Sequence, residues 1–164
     1  MTNFPAGTVD RVSELPFAEQ LMLWAIRLWV RGRRQGVCVD SQLVQGLSRA
    51  RIPAGPLLIE QLMMAIVHGH RRQVEIHCTC YGNLSQDEKR LLEALTLSQR
   101  GERGVAEELL GDLLEGQGRV RVAAIMIQLS QRLGEAGLEL VGLETLSLRL
   151  PRNRYVMPVA AGLH

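Results

Sequence analysis

Ser85-Gln86-Asp87-Glu88 is the stretch that most narrows what this chain can become. A serine followed three residues later by a glutamate, just ahead of Leu91, Leu92 and Leu95, is a capping box. The hydroxyl accepts from the amide three residues on, and the glutamate carboxylate accepts from the serine amide, so two first-turn donors that lack helical partners are satisfied. A helix therefore starts at Ser85, and Gly101 ends it after Arg100. Two more leucine-bearing segments follow. One takes Val105, Ala106, Leu109, Leu110, Leu113 and Leu114 inward, with Glu107, Glu108, Asp112 and Glu115 outward. The next runs from about Arg119 to Gly134 on Val122, Ile125, Met126, Leu129 and Leu133. Short Gly-containing links make these three helices antiparallel neighbours.

Upstream, the same periodicity gives three earlier helices. The first begins near Pro16, since a proline in the first turn sacrifices no helical hydrogen bond, and runs to about Gly32. Phe17, Leu21, Trp24 and Leu28 form one stripe and Met22, Ile26 and Trp29 a second, leaving Glu19, Gln20, Arg27 and Arg31 for water. A helix apolar on two faces is either the centre of the fold or a dimerisation surface. Asp40 or Ser41 caps a short second helix, and Pro56 opens a third that carries Leu58, Leu62, Met63 and Ile66 and ends at Gly69.

Two stretches read differently. Gln73-Val74-Glu75-Ile76-His77 alternates polar and apolar, and Leu146, Leu148 and Leu150 alternate with Ser147 and Arg149. Period two is the strand signature, so the two segments are expected to pair. The fold expected is thus mainly all-α, one compact domain of about six helices with a minor two-stranded β element. Residues 1–15 form an N-terminal arm, 16–150 the helical domain and 151–164 a C-terminal tail.

Composition supports a self-sufficient core. The chain has 164 residues, of which 46% are hydrophobic but only 4% aromatic, so aliphatic side chains fill an interior large enough to need no disulfide or metal staple. The formal charge of +2, from 19 basic and 17 acidic residues, gives no bulk field to draw nucleic acid or an anionic membrane. Lys89 is the only lysine, a bias toward arginine that reads as the codon usage of a GC-rich bacterium. The longest apolar run, from Leu21 to Val30, contains Arg27 and falls short of the roughly 20 residues needed to span a bilayer. An odd cysteine count argues for a reducing compartment, hence a cytoplasmic setting.

Chemistry-bearing residues concentrate in one place. His68, His70, His77, Cys78 and Cys80 bring three of the four histidines and two of the three cysteines together, with Cys38 apart. On a strand, Cys78 and Cys80 would share a face and His77 would point away. Zinc would need two further ligands at tetrahedral angles, from His68, His70 or Cys38, and the spacing is not that of a zinc finger. No cofactor is expected, with zinc as the alternative. A Cys78–Cys80 disulfide would close a small, strained and easily reduced ring.

Catalytic patterns fail. Gly46-Leu47-Ser48-Arg49-Ala50 imitates a nucleophile elbow without the preceding strand, and Gly116-Gln117-Gly118 lacks the rest of a dinucleotide fingerprint. The expectation leans away from an enzyme and toward a protein-interaction or regulatory module that binds a protein partner or a second copy of itself. A metal-binding or redox-responsive protein using His77, Cys78 and Cys80 is the alternative. Trp24 and Trp29 lie about 140° apart around a helix, so one of them is a candidate to face a partner, and Met63 and Met64 offer an adaptable surface, although burial in the helical core is the favoured reading. Arg33 and Arg34, and later Arg71 and Arg72, follow two helix ends, where cations favour the terminal carbonyls. Converging, they would make an anion-binding patch.

Overall fold

The computed structural model describes residues 3–5 and 7–150, and the tail expected over 151–164 lies outside the described residues. A short 3₁₀ turn at Val12–Glu14 leads into α1 (Phe17–Gln35), α2 (Asp40–Arg49), α3 (Gly55–Gly69), α4 (Gln86–Gln99), α5 (Arg103–Leu110), α6 (Gly116–Glu135) and α7 (Leu143–Arg149). The all-α class holds, with seven α-helices among the described residues. No membrane-spanning helix occurs among them, since none is long and apolar enough.

The centre of the fold is α4, not α1. Every residue from Asp87 to Ser98 is buried, and α1, α5, α6 and α7 pack around it, while α3 lies on α6, α2 and α1. Burying a whole helix forces its charges to find partners, because an unpaired buried charge is far costlier than a paired one. Lys89 therefore meets Asp10 of the N-terminal segment, and Arg90 pairs with Asp87 and Asp112 at 3.1 Å each. Asp112, expected to face outward, is thus drawn to the core. Ser85 and Glu88 form the capping box as the sequence requires, with Ser85 Oγ accepting from the Glu88 amide at 3.0 Å and Glu88 Oε2 from the Ser85 amide at 2.9 Å.

Glu19 and Arg27 of α1, expected in water, are buried instead. Glu19 Oε1 accepts from the amide of Val141 at 2.6 Å, satisfying backbone that enters α7. Phe17 of the apolar stripe and Val105 of α5 are exposed, while Leu109 is only partly buried.

The two-stranded element does not form. Among the described residues the only β bridges are isolated ones, Arg11 with Asn83 and His70 with Leu114. Residues 73–78 take no regular secondary structure and run along the N-terminus of α4 rather than along a strand. The amides of Glu75 and His77 donate to Asp87 Oδ2 and Glu88 Oε1 at 2.8 and 3.0 Å, and Ser85 Oγ donates to the Glu75 carbonyl at 2.6 Å. Alternation arises because every second amide turns toward α4's carboxylates, which replace a strand partner. The second expected strand is α7, where Leu143 and Leu146 share the buried side and Leu148 is 79% exposed.

Helices α3 and α6 approach closely where Gly69 and Gly118 meet. A Cβ on Gly69 would stand 2.7 Å from the Gly118 Cα, so only glycine lets the two backbones come together there.

Candidate functional site

The site is built on one buried ion pair. Arg27 projects from α1 and Glu88 from the first turn of α4, with side chains 3% and 0% exposed and Arg27 Nε 2.7 Å from Glu88 Oε1. All five guanidinium N–H groups are used: Nε and Nη2 donate to Glu88, Nη1 to the carbonyls of Cys78 and Tyr81, and Nη2 to that of Asn83. Glu88 in turn accepts four hydrogen bonds, two from Arg27 and one each from the amides of His77 and Ser85. Arginine's planar fork makes this saturation attainable where lysine's single ammonium would not. The consequence is local: the loop of residues 78–83 is wrapped over a buried cation that grips three of its carbonyls.

That grip shapes the turn that carries the thiols. The Tyr81 amide donates to the Cys78 carbonyl at 3.1 Å, closing a turn that brings Cys78 Sγ and Cys80 Sγ to 3.2 Å, both exposed. The sequence paired these two cysteines across a strand face, whereas a turn does it. The Cys80 thiol donates toward Cys78, the Cys80 amide adds a second hydrogen bond and Arg27 contributes its charge, so the Cys78 thiol is held below its ordinary pKa despite some desolvation. The same contact with Cys78 pushes the Cys80 thiol up. Cys78 is therefore the more acidic thiol of the pair.

The other candidate ligands do not join them. His77 Nδ1 donates to the Asn83 carbonyl at 3.0 Å, its Nε2 lies 3.2 Å from the Glu75 carboxylate, and its ring meets Tyr81 edge-on at 4.5 Å. His68 and His70 close α3, with His70 Nδ1 donating to the Val67 carbonyl at 2.7 Å. Cys38 lines a separate groove beside Trp29 and Val44. Among the described residues no group of three His, Cys, Asp or Glu side chains is arranged to hold a metal ion, and a zinc ion on Cys78 and Cys80 would lack the rest of a tetrahedral set.

Of the expected interaction residues, Trp29 and Met63 are buried, Trp24, Met64 and Arg72 are partly buried, and Arg33, Arg34 and Arg71 are exposed. Trp29 is buried, its indole N–H donates to Glu60, and the Arg33 guanidinium lies 4.9 Å above its ring. Trp24 is partly buried against Gly46 of α2, so both tryptophans have partners within the chain. Met63 is core, and Met64 touches Arg33 through its sulfur at 3.4 Å. Arg71 caps the Gly111 carbonyl at 3.0 Å and Arg33 pairs with Glu60 at 2.8 Å. One arginine from each pair does converge: Arg34 and Arg72 line the same cavity of about 620 Å³, together with Glu75, His77, Cys78 and Tyr81. Sequence reasoning missed Arg27 and Glu88, although a single arginine inside the apolar run of residues 21–30 was the signal for a buried pair. Compared with protein-family models, characterised proteins and solved structures, the chain has no significant match in any of the three.

Proposed function

We propose that this protein is a non-enzymatic regulatory module whose responsive element is the Cys78–Cys80 thiol pair. The observation that carries the reading is the 3.2 Å approach of two exposed thiols in a turn gripped from beneath by Arg27. Forming a disulfide requires the sulfurs to close to about 2.05 Å, so the reduced turn is poised but not yet in the oxidised geometry. Any shift of the Cys78 and Tyr81 carbonyls is felt by Arg27, and through Glu88 by the first turn of α4. The output of such a module is altered contact with a protein partner or with a second copy of the chain, in keeping with a sequence that carries no catalytic pattern.

Hydrogen exchange tests this reading. Protein prepared with the pair reduced and with the pair oxidised is expected to differ in amide protection over residues 77–89 and to agree across α6. Identical exchange in the two states would remove the regulatory role, because a thiol switch that changes nothing around it cannot be read by a partner.

A further inference from the structure

The cavity beside Cys78 suggests what reacts with it. Cys78 lines this space of about 620 Å³ and Cys80 does not, so a molecule seated there meets one sulfur of the pair first. Arg34 is exposed on the last turn of α1, its guanidinium donates to the Ile76 carbonyl at 3.3 Å, and no described carboxylate lies within ion-pairing distance of it. Arg72 contributes a second cation to the lining, although its Nη atoms are committed to Asp87 at 2.7 and 2.8 Å. Its buried Nε has no hydrogen-bond partner. The same lining includes the Glu75 carboxylate, 68% exposed and 3.2 Å from His77 Nε2. The lining thus offers a cation at Arg34, a largely exposed carboxylate at Glu75 and a thiol at Cys78.

We infer that this cavity receives a small disulfide derived from amino acids, with a carboxylate at Arg34, an ammonium group at Glu75 and its S–S bond at Cys78. The inference rests on the thiol-pair reading and adds the class of oxidant to it. Cys78, having given its proton to water, attacks one sulfur of the bound disulfide, forming a mixed disulfide and expelling a thiolate that takes up a proton. Cys80, losing its own proton, then attacks the Cys78 sulfur from its neighbouring position. The mixed disulfide breaks, the Cys78–Cys80 bond forms and a second thiolate leaves to be protonated. The protein pair is oxidised by two electrons and the small disulfide is reduced to two thiols, so the balance closes without another reactant. Exchange proceeds by this in-line thiolate route in general, favouring the more acidic and more accessible thiol as the attacker.

The test compares rates of protein disulfide formation with glutathione disulfide, which carries both charges, and with uncharged 2-hydroxyethyl disulfide, in the Cys38→Ser protein with and without Arg34→Gln. Hydrogen peroxide serves as an oxidant that needs no cavity. Glutathione disulfide is expected to react faster by about tenfold, the scale of electrostatic steering into a charged cleft, and Arg34→Gln should remove most of that advantage. In Cys80→Ser protein the glutathione adduct should accumulate on Cys78. Equal rates with the two disulfides, or a preference that survives Arg34→Gln, would overturn the cavity assignment. So would faster adduct formation on Cys80 in Cys78→Ser protein than on Cys78 in Cys80→Ser protein. If peroxide also fails to join the two cysteines, the thiol-pair reading itself has failed, whereas a bond formed by peroxide and equally by both disulfides sinks only the cavity. Because Arg34 is exposed and its hydrogen bond is with one carbonyl, the Arg34→Gln protein should fold normally, and the Cys80→Ser readout does not depend on it.

Discussion

Arg27 and Glu88, 61 residues apart in the chain, form a fully buried pair in which every guanidinium N–H and both carboxylate oxygens are engaged. The pair ties α1 to the start of α4 and shapes the loop between them. Removing one partner strands the other in the interior, which typically costs about 3–5 kcal/mol. Arg27→Met should therefore lower the urea unfolding free energy by about that amount. It should also release the 78–83 loop, so that Cys78 and Cys80 are alkylated independently in the variant.

The contact of Gly69 with Gly118 predicts a strong asymmetry among glycines. Gly69→Ala drives a methyl against backbone that has no room to yield and should destabilise by about 1–3 kcal/mol, the range for overpacking. Gly104→Ala, on α5 with nothing near its added carbon, should be neutral or stabilising by up to about 0.5 kcal/mol, since alanine is the better helix former. Thermal melts of the two variants beside the parent check both.

Glu93 supplies a pH-dependent test. Desolvation pushes its carboxyl above the usual range, although the Leu143 amide, donating at 2.8 Å, works the other way. A carboxyl whose folded pKa exceeds its unfolded value favours the fold while protonated, and that contribution is lost as pH rises through the folded pKa. Glu93→Gln keeps an oxygen for the Leu143 amide but cannot ionise. Its stability relative to the parent should therefore improve from acid to neutral pH, as read from urea midpoints at a series of pH values.

Much of the helical architecture was legible because leucine spacing and caps are local signals. The box at Ser85 and Glu88, the start near Pro16 and the stop at Gly69 each follow from a few neighbouring residues. The misread segments share one cause. Residues 73–77 alternate because their amides answer to Asp87 and Glu88, and Leu146 to Leu150 alternate by composition while folding as α7, so period two was present without a strand partner. Burial of α4 was likewise invisible, since it depends on which helix the others choose to surround, whereas the only mark of Arg27 was its place inside the apolar run of residues 21–30. Of the site, the sequence offered Cys78 and Cys80. It did not offer the turn that joins them, because that turn is held by a side chain from α1.

The unequal environments of the two thiols predict unequal chemistry. Hydrogen bonds from Cys80, aided by the Arg27 charge, hold Cys78 below its ordinary pKa, while Cys80 is pushed up by the same contact. Alkylation by iodoacetamide, mapped by peptide mass across a pH series, should label Cys78 at lower pH than Cys80. Arg27→Met should bring the two profiles together.

The most direct measurement is intact mass and thiol count on the Cys38→Ser protein treated with a mild oxidant and then exposed to an alkylating reagent without reductant. A Cys78–Cys80 disulfide should show as the loss of two hydrogen atoms, no alkylation at either remaining cysteine, a monomeric mass, and full recovery of both labels after treatment with dithiothreitol. Two free thiols after oxidation, or oxidation that yields only chain-to-chain disulfides, would contradict the thiol-pair reading.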